Sequence, residues 1–284
     1  MNYQEIYINY IDVKNIKIIC ILLIILYVRS GLKHNKSLLD KISVIIPTYN
    51  RGHLILKSIK SVLNQTYKNI EVLLIDDGSS DDTEHIINSL EDNRIRYIKL
   101  NKNNGASNAR NIGIKHALGK YISFQDSDDF YHYDKLEKQY KNILQKKSDF
   151  DFCKVNLFLN KSYKIIFPFP NQEYNIKRDN ISNELCNGNF ISTQSILVKK
   201  NAIKKFLFDT KFPRLQDYDL VLRMVPHLKV SYTSEILVDL YRKKDSLGNS
   251  PKKYNESLNL ILKKKYSIKC NLESFYKQFK TNQK

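Results

Sequence analysis

The chain has 284 residues, 42% of them apolar, and no internal repeat, which suits one large domain or one domain with appendages around a sizeable core. Its formal charge of +18 leaves two readings open: the solvated surface of a Lys-, Asn-, Ile- and Tyr-rich chain from an AT-rich genome, or attraction to a membrane face or a phosphate-bearing substrate. Nucleic acid is set aside as a partner, because no aromatic-basic interleaving or known module accompanies the charge.

Residues 1–40 read as an appendage with a polar start, an apolar run "IICILLIILYV" (Ile18 to Val28) and a basic linker. The run is shorter than the roughly 17–25 residues of an ordinary spanning helix. Arg29-Ser30-Gly31 follows it, which is no small-residue cleavage site. Arg29, Lys33 and Lys36 favour a cytoplasmic C-terminal side if the run inserts. A short membrane anchor, an interfacial or partner-binding helix and a packed helix all stay open. The expected location is cytoplasmic, with the run as the route to any membrane association.

A globular domain is expected over 41–245. "ISVIIP" from Ile42 is a buried strand ended by Pro47, and "HLILKSIKSVLNQ" is a helix with Leu54, Ile55, Ile59, Val62 and Leu63 at helical spacing. "IEVLLIDDGSSDDT" is a strand, a turn and a helix start. "IRYIKL" is a third strand, "NNGASNARNIGIKHALG" a glycine-containing loop and helix, and "YISFQDSDD" a fourth strand with an acidic end. This alternation predicts an α/β fold with a mostly parallel sheet flanked by helices. Ligands of such sheets bind beyond the carboxyl ends of the strands. The polar clusters "TYN", "DDGSS", "NNGASNAR" and "QDSDD" all fall there.

The second half is less regular. Strands are expected at "DFCKVNLFL", "KIIFPF", "ISTQSILVKK" and "ILVDLYR", and a helix at "QDYDLVLRMV". Residues 246–284 form a basic tail in which "ESLNLILKKKYSI" has a helical apolar face of Leu258, Ile261 and Leu262. That helix either covers the sheet or meets a membrane surface. The four cysteines show no C-x-x-C pair and no zinc-like spacing, so free thiols in a reducing setting are the simplest reading, with a disulfide as the open alternative.

Several residues are chemical candidates. Asp126 and Asp128, spaced i, i+2 at a strand end, can share one hard divalent ion such as Mg²⁺ or Mn²⁺. The competing reading is an acidic helix N-terminus, with Asp129 just ahead of a helix starting near Tyr131. Asp77, like Asp76, can accept a hydrogen bond from a base or ribose, or serve the turn. Tyr49 can stack on a planar base or simply pack. Arg110 can meet a phosphate, an acid cluster or a surface partner. Asp217 is a general base or a helix cap, with Asp219 as its competitor. "GASNARNIG" matches neither a P-loop nor a dinucleotide fingerprint.

The ordered motifs "ISVIIPTYNR", "VLLIDDGSSDDT", "NNGASNARNIGI", "GKYISFQDSDDFY" and "LQDYDLVLR" resemble the family 2 glycosyltransferases of GT-A fold, over about Ile42 to Arg242. The resemblance implies inverting transfer from a nucleotide-diphosphate sugar, usually a UDP-sugar, to a glycan or lipid-linked acceptor of surface polysaccharide synthesis. It implies Pro47, Tyr49 and Asp77 at the base, Gly105 and Arg110 at the diphosphate, and Asp126 and Ser127 by the ribose. Asp128, with Asp126 nearby, is then the Mn²⁺ or Mg²⁺ ligand, and Asp217 deprotonates the acceptor hydroxyl. Two positions depart from the family. Gln216 stands where Glu is usual, and Lys244 stands where many relatives have a His that helps bind metal. They motivate an alternative, a catalytically impaired nucleotide-sugar-binding or scaffold protein at the membrane.

Overall fold

The computed structural model describes residues 40–160, 163–167, 181–241 and 250–267. The apolar run Ile18 to Val28, Arg242, Lys244 and the tail beyond 267 lie outside the described residues. Among those described, no helix is long and apolar enough to cross a membrane.

The first half builds a parallel block. Strands β1 (Ile42–Thr48), β2 (Ile70–Asp76), β3 (Ile95–Lys99) and β4 (Tyr121–Phe124) are joined by helices α1 (Gly52–Leu63), α2 (Thr83–Asn88) and α3 (Ala106–His116). β1 and β2 are buried along their whole length, as apolar β-branched runs covered on both faces must be. Ile55, Ile59 and Val62 form the buried stripe of α1, while Ala109 and Ile114 anchor α3.

Beyond β4 the sheet becomes mixed. β5 (Phe130–Tyr131), α4 (Lys135–Lys146), β6 (Phe150–Asn160), β7 (Tyr163–Phe167), α5 (Ile181–Leu185), β8 (Ile196–Lys199), α6 (Lys200–Ile203), α7 (Gln216–Met224), β9 (Val230–Tyr241) and α8 (Pro251–Lys263) complete the described strands and α-helices. The strand order is β3-β2-β1-β4-β8-β6-β9-β5, with β7 on β6. β8 runs antiparallel to both β4 and β6, and β9 is parallel to β6. The sheet is thus parallel on one side and mixed on the other, a split that strand-by-strand patterning does not show.

One local expectation is corrected. No helix starts near Tyr131: Phe130 and Tyr131 pair with Asp239 and Val238 of β9, and α4 opens at Lys135 behind Asp134. Two consecutive bulky aromatics favour a pleated strand over a first helical turn. The thiol expectation also changes. Cys153 is buried and free, whereas Cys186 is disulfide-bonded; spacing alone does not say which thiols a fold brings together.

α8 packs on the main body through buried Leu258 and Ile261, with Ile261 joining the principal core.

A buried polar network ties α4 to the sheet. Lys135 is fully buried; its Nζ donates to Gln139 Oε1 (2.7 Å) and Ser123 Oγ (3.1 Å) and lies over the Tyr131 ring. Burial brings its pKa down to about 8. The Asp151 carboxylate accepts from Gln139, Asn142, Ser231 and Thr233, and burial pushes its pKa up to about 6.

Gly119 turns the chain into β4 against the start of β1. A Cβ there would stand 2.6 Å from Ser43 N and 2.7 Å from Lys41 O. Backbone atoms cannot rotate away. Gly119→Ala is therefore expected to destabilise by about 3 kcal/mol, the upper end for overpacking. Urea denaturation checks this, and a midpoint like that of the parent chain would refute it.

Candidate active site

Strand register brings the polar clusters to one edge. Thr48 pairs with Asp76 in parallel, and Ile45 with Phe124. The residues just beyond these strands therefore emerge together. A cleft of about 250 Å³ opens there, lined by Pro47, Tyr49, Asp77, Gly105, Arg110, Asp126, Ser127 and Asp128, with Thr48, Arg51, Asn103 and Ala106 between them. Eight of the nine predicted site residues thus share one cleft, and Asp217 is the ninth.

Asp76 and Asp77 separate by function. Asp76 is fully buried and accepts from Tyr97 Oη (2.6 Å) and Ser79 N (2.8 Å), so it shapes the turn. Asp77 accepts from the backbone N–H groups of Asn104 (3.0 Å) and Gly105 (2.6 Å). It thereby fixes the loop ahead of α3 while still lining the cleft. A carboxylate has about four lone-pair sites, so capacity for a ligand remains. Gly105 sits at φ 90°, where a side chain is disfavoured, and the space its Cβ would fill is open. Tyr49 is 44% exposed, which is inconsistent with a core packing role.

Arg110 projects from α3 and is buried. Its Nη2 donates to Asp126 Oδ1 at 2.6 Å, and its guanidinium lies over the Phe208 ring at 5.4 Å. Its Nε–H has no partner among the described residues, so Asp126 does not saturate the group. Of the partners the sequence offered Arg110, the structure shows the acid.

The three acids of "QDSDD" take different positions. Asp126 Oδ2 accepts from Gln194 Nε2 at 2.6 Å, so both of its oxygens already face protein donors. Asp128 is half-buried in the cleft wall. Asp129 is buried, accepting from Gln194 Nε2 (2.8 Å) and from the Tyr241 N–H (2.9 Å). Burial, then the charges of Asp126 and Asp128, hold the Asp129 pKa well above the usual carboxylate range. Asp129 therefore pins the end of β9 and does not cap a helix.

Asp217 occupies the first turn of α7 behind Leu215, whose φ of 57° is left-handed. It is half-buried, with Oδ1 accepting from Tyr218 N at 2.8 Å. Burial raises its pKa; the Tyr218 N–H, the Arg110 charge and the Asn189 side chain oppose this, and the Asp126 charge adds to the rise. Arg110 and Asp126 thus both act electrostatically on Asp217. Its competitor Asp219 is fully buried, with both oxygens committed to Arg223, Lys264 and Tyr266. Gln194, Asn189 and Phe208 were not legible in the sequence. Each is an ordinary polar or apolar residue whose importance comes only from what the fold sets beside it.

Among the described residues, no group of three or more His, Cys, Asp and Glu is arranged to hold a metal ion. An ion that arrives with its substrate needs fewer protein ligands, because Mg²⁺ commonly takes one or two carboxylates and completes its shell with phosphate and water; Asp128 and Asp126 both line the cleft.

The chain is similar to known proteins. The family described as Glycosyl transferase family 2 matches residues 43–206. The chain is 36% identical over 205 residues to the uncharacterized glycosyltransferase RT0329 of Rickettsia typhi, covering 69% of this chain but only 62% of that protein. It is 33% identical over 222 residues to the UDP-Glc:alpha-D-GlcNAc-diphosphoundecaprenol beta-1,3-glucosyltransferase WfaP of Escherichia coli, covering 77% of this chain and 83% of that one. Among solved structures, S. aureus TarS 1–349 in complex with UDP-GlcNAc superposes with a TM-score of 0.66 at 20% identity, covering 83% of this chain and 69% of that one. The fold is accordingly that of the GT-A glycosyltransferases. With more than half of its length matched by the family pattern, the chain belongs to glycosyl transferase family 2.

Proposed function

We propose that the chain is an inverting glycosyltransferase that moves a sugar from a UDP-sugar to a hydroxyl of a glycan or lipid-linked acceptor. The supporting observation is the convergence of one cleft at the sheet edge with a half-buried carboxylate, Asp217, that feels both Arg110 and Asp126. The relative WfaP, named for a UDP-Glc donor and a diphosphoundecaprenol-linked acceptor, supports the choice of substrate class.

In this reading Tyr49 and Pro47 take the base and Asp77 accepts from it. Gly105 lets the α3 N-terminus approach the diphosphate closely, and an anion there is favoured by the helix N–H groups. Arg110 offers its remaining N–H capacity to the same charge while holding Asp126 in place. Ser127 and Asp126 border the ribose. Asp128, with Asp126, would hold Mn²⁺ or Mg²⁺, which when bound offsets charge on the departing diphosphate. Asp217 takes the acceptor hydroxyl proton as the oxygen attacks the anomeric carbon opposite the diphosphate. Fixing both substrates in line supplies much of the remaining rate gain.

The deciding experiment screens nucleotide sugars for acceptor-dependent UDP release with Mn²⁺ present, alongside calorimetry of UDP. Turnover with one UDP-sugar and metal-dependent UDP binding are expected. UDP binding without turnover of any donor would favour the impaired alternative that Gln216 motivates. Absence of UDP binding would overturn the donor assignment.

A further inference from the structure

Resting on the assignment of Asp217 as base, we infer that Lys264 and Tyr266, just past α8, are positioning residues that clamp the base-bearing helix and the donor-side arginine together. Asp219 lies two residues after Asp217 on α7. Its Oδ1 accepts from Lys264 Nζ at 2.7 Å and Tyr266 Oη at 2.9 Å. Its Oδ2 accepts from Arg223 Nε at 2.9 Å and Nη2 at 2.6 Å. A fully buried carboxylate with four charged or hydroxyl contacts is held in one place.

The contacts continue into the segment before α7. Arg223 donates to the carbonyls of Phe206 and Leu207. Lys264 donates also to Asp209 Oδ2 at 3.0 Å and lies over the Phe212 ring. From α8, Ser257 Oγ accepts the Arg214 N–H at 3.0 Å, and the Arg214 guanidinium stacks over Tyr254. This segment is strained at both ends, with Leu207 at φ 45° and Leu215 at φ 57°. Bulky residues persist in that region only where surrounding contacts over-determine them. The same segment carries Phe208. Its ring lies against the Arg110 guanidinium, and its backbone N–H and C=O are both bonded by Asn111 of α3.

One connected set of contacts therefore runs from Lys264 through Asp219 and Arg223 to Phe208 and Arg110, with Asp217 at its edge. Its consequence is geometric. The clamp sets the distance between the base and the donor's charge, and a displacement of about 1 Å at such a site can cost on the order of a hundredfold in rate. Neither Lys264 nor Tyr266 lines the cleft, so donor binding is left to other residues.

The test uses the full chain with UDP, the UDP-sugar found by the donor screen, and its acceptor. Lys264→Met is expected to lower kcat at least about tenfold, with the UDP dissociation constant and donor KM within twofold of the parent. Lys264→Arg, which keeps charge and donors, is expected to recover most of that loss. Assays run well below each variant's melting temperature, so that lost stability alone does not lower kcat. If Lys264→Met does not fold, Tyr266→Phe removes a single hydrogen bond and is expected to lower kcat several-fold. A parental kcat in the folded variant overturns the clamp, as does an equal loss in Lys264→Met and Lys264→Arg. The two assignments fail separately. An active Asp217→Asn variant removes the base, whereas an inactive Asp217→Asn with a fully active Lys264→Met removes only the clamp.

Discussion

Asp217→Asn is expected to lower kcat by about 10²–10⁴-fold, the range for loss of a positioned general base, while UDP affinity stays within twofold. The cleft beyond the strand ends is lined by other side chains, and Asn can still accept the Tyr218 N–H. The pH profile follows from the raised pKa of Asp217. A base works only when deprotonated, so kcat should fall as pH drops through a pKa above the roughly 3.9 of an exposed Asp. Stability carries the opposite sign. A carboxyl whose folded pKa exceeds its unfolded value contributes stability that is complete below the unfolded pKa and lost as pH rises through the folded one. At neutral pH the ionised Asp217 is therefore a net cost. The Asn variant should melt above the parent at pH 7, and the difference should shrink at about pH 3 to 4, around and below the unfolded value. An active variant would remove the base assignment, and one that melts below the parent at pH 7 would contradict the raised pKa of Asp217.

The parallel half of the fold and the gathering of polar loops into one cleft were legible because their signals are local. Buried strands such as "ISVIIP" and "VLLI" are continuous apolar runs, and the loops that follow them hold the Asp, Gly and Asn residues that the turns require. The rule that sites form beyond parallel strand ends then gathers distant loops into one cleft without any knowledge of contacts. The remainder depends on partners far apart in the chain. Asp129 reads as a helix cap in the sequence, but its carboxylate accepts from the Tyr241 N–H, on a strand more than a hundred residues later. Asp217 and Asp219 share one helical turn and look alike in sequence. Arg223, one turn on, takes one oxygen of Asp219, and the partners of the other oxygen, Lys264 and Tyr266, come from beyond α8. Likewise Lys135 sits in a charged stretch typical of a solvated helix face, yet it is fully buried, with its Nζ over the Tyr131 ring.

Gln194→Glu should be the most damaging single-atom-scale change at the acidic edge. One amide nitrogen bridges Asp126 and Asp129, donating at 2.6 Å and 2.8 Å. The substitution removes both charge-assisted bonds, worth about 1.5–3 kcal/mol each, and adds a third carboxyl between two acids. A loss of at least about 3 kcal/mol at pH 8 is expected on these terms, read by urea denaturation. The dependence on pH identifies the cause. Asp129 already holds its proton more tightly when folded, through burial and the neighbouring acids, and Gln194 is among the contacts that oppose this. Replacing that donor with another acid raises the proton affinity of the folded cluster further. Stability should then fall more steeply as pH rises from 5.5 to 8 than in the parent, because the folded state must surrender protons that the unfolded chain has already lost. Gln194→Met, similar in length but uncharged, removes the same two bonds without adding an acid, so it should lose less stability at pH 8 and show the shallower pH slope of the two. Equal losses in the Glu and Met variants at both pH values would mean that packing, not charge, sets the role of Gln194. A stable Glu variant would mean that the edge tolerates a further negative charge, and that the amide bridge contributes little to holding Asp126 against Arg110.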